Sequence, residues 1–241
     1  MTRIKTQYVG QWIDVTRSKQ FTFDGTVVTG LHGDSVTSAL LANDIWLQSR
    51  SFKYHRPRGP LTLCGQDANT LVQTPNTPNV LADRLEVEED LRVSAQHYTG
   101  WLRFDLSRLL DWFGRFLPVG FYYKAFFKPS GSWRWWEPLV RSAAGLGVSN
   151  LSASAPYNDK VYAFCDIAVV GGGPAGLNAA LSAAEAGARV MLIEQEPYLG
   201  GSLSYHAFNG DMTATQLRRD ELIQAVYEHQ NIRVLVSATC N

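Results

Sequence analysis

Residues 165–195 read CDIAVVGGGPAGLNAALSAAEAGARVMLIEQ, and this stretch decides the fold. A short β-branched run at 167–170 leads into Gly171-x-Gly173-x-x-Gly176, and an Ala-rich run of helical period follows. A second strand, 189–193, apolar after Arg189, ends on the acidic Glu194. Strand, glycine loop, helix, strand and terminal carboxylate together make a dinucleotide-binding βαβ unit. With no polar interruption, 167–170 is expected to be a parallel strand buried on both faces.

The glycines have separate tasks. Gly171 permits the tight turn, Gly173 lets the backbone approach a pyrophosphate, and Gly176 allows close packing of helix on strand. Pro174 sits near the helix start, where its missing N–H costs little. Leu177, Ala180, Leu181 and Ala184 form the sheet-facing stripe, and Gly187 ends the helix. The helix N-terminus offers free N–H groups and partial positive charge to the pyrophosphate. Glu194 lies 18 residues after Gly176, close to where a carboxylate meets an adenosine ribose. It would repel a 2′-phosphate, so NAD or FAD is favoured over NADP. Gly200-Gly201-Ser202 is either a second loop against the dinucleotide, with the Ser202 hydroxyl toward a phosphate, or an ordinary turn after Pro197. The competing reading of the whole motif is a glycine-rich turn that retains no ligand.

The 241 residues suffice for one to two domains. With 22 basic and 22 acidic residues there is no net charge to draw the chain to nucleic acid or an anionic membrane. Cys64, Cys165 and Cys240 lie far apart, without metal-ligand spacing, and their odd number argues against a disulfide framework. A reducing cytoplasm fits. The opening MTRIKTQYVG has no apolar core for a signal peptide, and no run approaches the length of a membrane span.

Toward the N-terminus, Phe21 and Phe23 alternate, Asp24-Gly25 signals a hairpin turn and Val27-Val28 returns. Asp34 or Ser35 then caps a short helix over 36–43. A hairpin followed by a capped helix is how a β-grasp module begins. Residues 49–60 are basic with Phe52 and Tyr54 interleaved. They form either a phosphate or nucleic-acid patch or a loop packed on a neighbouring domain or subunit, and the neutral net charge favours the packed loop. TPNTPN at 74–79 is a turn-rich connector, and Leu85, Val87, Leu91 and Val93 suggest extended structure. Residues 101–148 carry Trp101, Trp112, Trp133, Trp135 and Trp136 with Phe121-Tyr122-Tyr123. Leu106, Leu109, Leu110, Phe113 and Leu117 fit an amphipathic helix ending before Pro118. So much aromatic surface is expected to pack on the dinucleotide domain or dock against a partner. Residues 149–160 are a Ser-rich linker. Residues 213–230 read as a helix with Leu217, Leu222, Val226 and Tyr227 apolar, and 232–236 as a third strand ending near the adenine.

Four blocks carry a resemblance to a family. They are FTFDG at 21–25 with GDSVTSALLAN at 33–43, and SFKYHRPRGP at 51–60. FLPVGFYYKAFFKP at 116–129 with EPLVRSAAGLG at 137–147 is the third, and GGGPAGLNAAL at 171–181 the fourth. In this order, over nearly the whole chain, they resemble the N-terminal part of the alpha subunit of heterotetrameric sarcosine oxidase. The resemblance implies a mixed α/β chain in three parts. Residues 1–83 are a ferredoxin-like, α+β β-grasp domain without its iron–sulfur cluster. Residues 84–160 are an aromatic-rich connecting segment, and 161–241 are the first part of a Rossmann-like FAD/NAD(P)-binding domain. Relatives that keep a cluster carry several cysteines after the PRG element. Here Cys64 stands alone, so neither a cluster nor a metal site is expected.

The resemblance further implies NAD in this fold, with FAD as the alternative. Its contacts fall on Gly171, Gly173, Ala175, Gly176, Glu194, Gln195, Glu196, Gly201, Ser202 and Cys240. Glu196 stands where relatives are often basic, and its charge is expected to weaken binding. Sarcosine demethylation and the flavins belong to a partner beta subunit, with gamma and delta subunits completing the complex. No catalytic residue is expected in this chain, and His32, His55, His97, His206 and His229 are assigned surface or structural roles. The three strands expected by residue 241, against five or six in a full sheet, suggest a truncated chain, inactive alone. The other readings are an FAD-binding subunit of a related amine or amino-acid dehydrogenase and an assembly module that retains no cofactor.

Overall fold

The computed structural model describes residues 13–112, 120, 126, 128–154, 158–207 and 210–240. The N-terminal MTRIKTQYVG, Phe113, Leu117, the run 121–123 and part of the 149–160 linker lie outside the described residues. The chain divides into two compact units, 1–155 and 156–241.

The first unit is built on an antiparallel hairpin of β1 (Asp14–Phe23) and β2 (Thr26–His32), with Phe21 opposite Val28. Asp24 and Gly25 both take positive φ, 46° and 78°. That backbone twist matches the twist of the flanking strands, as a two-residue hairpin turn requires. Helix α1 (Val36–Ala42) follows, its first turn capped by Ser35 Oγ, which accepts from Ser38 N–H at 3.2 Å. β3 (Ser49–Arg50) pairs with β4 (Pro57–Arg58) in a separate small hairpin. β5 (Leu71–Gln73), β6 (Val80–Leu81) and β7 (Leu91–Ala95) complete a five-stranded sheet of order β2-β1-β7-β5-β6, β7 running parallel to β1. Phe21, Phe23, Val28, Val36, Leu40, Val72, Val87 and Val93 form its core. Residues 91–95 of the expected connecting segment are thus a central strand of this sheet.

The basic run 49–60 is turned partly inward. Arg50 is 2% exposed and donates to the carbonyls of Leu102, His55 and Arg103. His55 is fully buried, its Nδ1 2.7 Å from Asp105 Oδ2 and its Nε2 2.9 Å from the Ala143 carbonyl oxygen. One buried carboxylate therefore ties the β3–β4 hairpin to the 99–107 loop, and His55 carries the tie to helix α2 (Trp133–Ala144). The amphipathic helix expected from residue 106 is replaced by a 3-10 turn, Leu106–Asp111, with Leu106 and Leu109 exposed. Asp105 Oδ1 accepts from the Thr99 and Ser107 N–H groups and so caps the start of this turn.

The second unit is built on a three-stranded parallel sheet with the strand at 190–193 in the middle. β8 (Ile167–Val170) leads into α3 (Pro174–Glu185), β9 (Val190–Ile193), α4 (Met212–Glu228) and β10 (Ile232–Leu235). β9 is buried at every position, whereas Ile167 and Val170 of β8 are 43% and 68% exposed. This corrects the expectation of burial on both faces. Among the described residues β8 pairs only with β9, so it is an edge strand. Leu177, Ala180 and Ala184 are the inward stripe of α3, as its periodicity requires. Helix α4 is turned differently from its sequence reading. Thr215, Arg219, Leu222 and Val226 face inward, while Leu217 and Tyr227 are exposed.

Candidate functional site

The glycine loop sits at the carboxyl end of β8, where ligands bind in parallel sheets. Gly171 takes φ +101°, and its N–H donates to the Ile193 carbonyl at 2.8 Å. A Cβ on Gly176 would collide with the Gly171 carbonyl oxygen, so this position demands glycine. Gly173 caps α3 from an extended conformation, and its carbonyl accepts from Leu177 N–H at 2.9 Å. A Cβ on Gly173 would meet nothing within 4 Å. The loop thus presents bare backbone to open space at a helix N-terminus, the arrangement a pyrophosphate needs. Ala175 is exposed in the first helical turn.

Glu194 is 9% exposed and braces the loop from the end of β9. Its Oε2 accepts from Gly172 N–H at 2.5 Å and its Oε1 from Glu196 N–H at 2.9 Å. Its own carbonyl accepts from Ala238 N–H at 2.9 Å, drawing the chain after β10 to the same place. Gln195 is exposed and Glu196 half-buried. The second glycine pair packs on the first loop. Gly200 N–H donates to the Gly172 carbonyl at 2.8 Å, and a Cβ on Gly201 would lie 2.9 Å from Gly173 Cα. Ser202 is half-buried in the 3-10 turn Gly201–Ser204. The structure therefore gathers Gly171, Gly173, Gly176, Glu194, Glu196, Gly201 and Ser202, with the Cys240 thiol exposed two residues beyond Ala238. At the other end of the strands, Arg189 hydrogen-bonds Asp166 and holds its carboxyl down at about 2.

Sequence reading missed three parts of this site. Gly172 provides the amide that Glu194 holds, Leu199 closes over it, and Arg219 packs behind Gly200. Arg219 was detectable as one member of the series Thr215, Arg219, Leu222, Val226, had Thr215 been counted inward.

Comparison with known proteins places these two units. A model described as a 2Fe-2S iron–sulfur cluster binding domain matches residues 16–98, and one described as an FAD dependent oxidoreductase matches 166–236. The sarcosine oxidase subunit alpha of Rhizobium meliloti is 41% identical over 224 residues, which are 91% of this chain and 23% of that protein. This chain is a homologue of the sarcosine oxidase alpha subunit. The Corynebacterium sp. strain U-96 subunit is 29% identical over 82% of the chain and 16% of its own length. The chain thus spans about a quarter or less of the length of these relatives. The crystal structure of L-proline dehydrogenase from P. horikoshii shares the fold at 19% identity and TM-score 0.52, over 92% of this chain and 33% of that one.

These matches correct the cofactor expectation. They point to an iron–sulfur cluster and FAD, in place of NAD without a cluster. The two groups fit the residues differently. A [2Fe–2S] cluster takes four ligands, and residues 16–98 contain one cysteine, the exposed Cys64. Among the described residues no group of three or more His, Cys, Asp or Glu could hold a metal ion. The residues of this segment do not supply a cluster's ligand set by themselves. The adenosine-diphosphate half of FAD, by contrast, fits the open cradle at Gly173 beneath a helix N-terminus. Among the described residues no helix is long and apolar enough to cross a membrane.

Proposed function

We propose that residues 156–241 hold the adenosine-diphosphate end of FAD in an oxidoreductase complex of the sarcosine oxidase type. The observation that carries this reading is the bare backbone of Gly171 and Gly173 at the N-terminus of α3, with Glu194 buried beside it. The α3 dipole and free N–H groups bind the pyrophosphate, and Glu194 reads the ribose diol. That half is common to FAD and NAD, so the loop alone does not choose between them. FAD is the cofactor in the description of the model that matches 166–236. Bound FAD supplies two-electron redox chemistry at its isoalloxazine ring. The residues of this chain bind and orient its far end. Oxidative demethylation of sarcosine or a related N-methyl amine is assigned to a partner subunit, consistent with the relatives' designation as subunit alpha. Beta, gamma and delta subunits are the proposed partners.

The test is FAD titration of the full chain by calorimetry, alone and within a reconstituted complex. Saturable binding that Gly173→Val abolishes is the expected result. A complex that contains flavin yet leaves this site empty would sink the proposal.

A further inference from the structure

Helix α4 places a charge where its helical period calls for a hydrophobe. Arg219 lies in the inward series with Thr215, Leu222 and Val226 and is 3% exposed. Leu222 and Val226 belong to the core that packs α4 on the sheet. A buried charge is a cost to folding, and an apolar residue of similar volume in its place is often neutral or stabilising. The guanidinium is hydrogen-bonded to Asp220 Oδ1 at 2.9 Å through Nε and 2.7 Å through an Nη. Asp220 is 55% exposed, so solvent reaches one side of the pair.

The stem of Arg219 leads to the dinucleotide loop. A Cβ on Gly200 would lie 2.9 Å from Arg219 Cδ and 3.0 Å from its Cγ, so the glycine is what lets the arginine pass. Gly200 takes φ +115° and donates its N–H to the Gly172 carbonyl, and Gly201 rests on Gly173. Arginine, second glycine pair and first glycine loop are stacked in that order. We infer that Arg219 is a positioning residue for the pyrophosphate: it sets the Gly200-Gly201 turn against the loop and adds a desolvated positive charge behind it. This rests on the dinucleotide reading above and deepens it, since it assigns a residue to the phosphate end of the ligand rather than the adenosine end.

The experiment measures binding of ADP and of adenosine to the full chain by calorimetry. Adenosine shares the ribose and base but has no pyrophosphate. Arg219→Met keeps most of the stem and removes the charge. It is expected to weaken ADP binding about tenfold, the scale of losing one nearby unit charge in a protein environment, and to leave adenosine binding unchanged. Arg219→Lys is expected to restore most of the ADP affinity. Asp220→Asn, an exposed substitution, releases the guanidinium from its counter-charge and is expected to tighten ADP binding about threefold. Equal losses for ADP and adenosine in Arg219→Met would mean a packing role alone and would overturn the inference. So would ADP affinities unmoved by either the Met or the Asn substitution. A parent chain that binds neither ADP nor FAD overturns the dinucleotide reading together with this one. A parent that binds ADP while the variants fail to discriminate overturns only the role of Arg219.

Discussion

Glu194→Gln is expected to loosen two loops at once. In the native chain Oε2 accepts the Gly172 N–H at 2.5 Å and Oε1 the Glu196 N–H at 2.9 Å, at a residue 9% exposed. A glutamine keeps one acceptor and turns its NH2 toward the other amide, donor against donor. The bond that survives changes from charge-assisted to neutral, which roughly halves it. The bond that is lost leaves buried donors without partners. Together these cost about 2–4 kcal/mol of local stability. At 1.4 kcal/mol per tenfold, the Gly172 and Glu196 amides should exchange with solvent about thirty- to several-hundred-fold faster. Native-state hydrogen exchange on the full chain reads this directly. Asp166→Asn, at the exposed pair at the opposite end of the strands, serves as the control and should leave both amides at native rates. A glutamine variant whose Gly172 and Glu196 amides exchange as in the parent would refute the bracing role.

Gly176→Ala drives a Cβ into the Gly171 carbonyl oxygen and is expected to abolish cooperative unfolding of 156–241 while sparing the other unit; limited proteolysis of the two units reports it, and a normally protected second unit would count against the packing described. Asp105→Asn removes the buried carboxylate shared by Arg50 and His55 and is expected to cost about 3–5 kcal/mol in urea denaturation, with a loss under about 1 kcal/mol contradicting the network. Burial lowers the pKa of His97 below its ordinary 6.5, helped by the nearby Arg58 and His55. The unfolded chain therefore binds the proton first, so stability is intact above about pH 6.5 and falls as the pH drops from there through the folded value. His97→Gln should flatten that stretch of a stability–pH curve, and an unchanged slope would show that another group sets it.

What was legible in the sequence was whatever the backbone alone dictates. Asp24-Gly25 announces a two-residue turn because few residues accept positive φ, and both positions adopt it. Gly171 and Gly176 are fixed by a turn and a collision within six residues of one another, which a local motif records. What was illegible depended on which neighbours are present. The apolar run 167–170 reads as buried on both faces, yet an edge strand with the same sequence leaves Val170 exposed. The phase of α4 was misread because Leu217 and Tyr227 look like core residues, while the core stripe contains a threonine and an arginine. The run from Leu106 has helical spacing, but Leu106 and Leu109 are exposed, so no packed apolar face holds the run as an α-helix. The dinucleotide was misassigned for a chemical reason. Loop and carboxylate report only on an adenosine end that FAD and NAD share.

The bracing role of Glu194 changes how a loss of binding at this position is to be interpreted. An acid at the end of the second strand is ordinarily taken as a reader of the ribose. Here both its oxygens already hold backbone amides of the loops that form the site. Substituting it would weaken dinucleotide binding even if it never touched the ribose, because the phosphate loop would lose its support. The two contributions separate by ligand. A ribose contact is felt by adenosine and ADP alike, whereas a collapsed phosphate loop penalises ADP more. A glutamine variant that loses both ligands in equal proportion while its Gly172 amide stays protected would assign Glu194 to the ribose. A selective loss of ADP with a deprotected Gly172 amide would assign it to the loop.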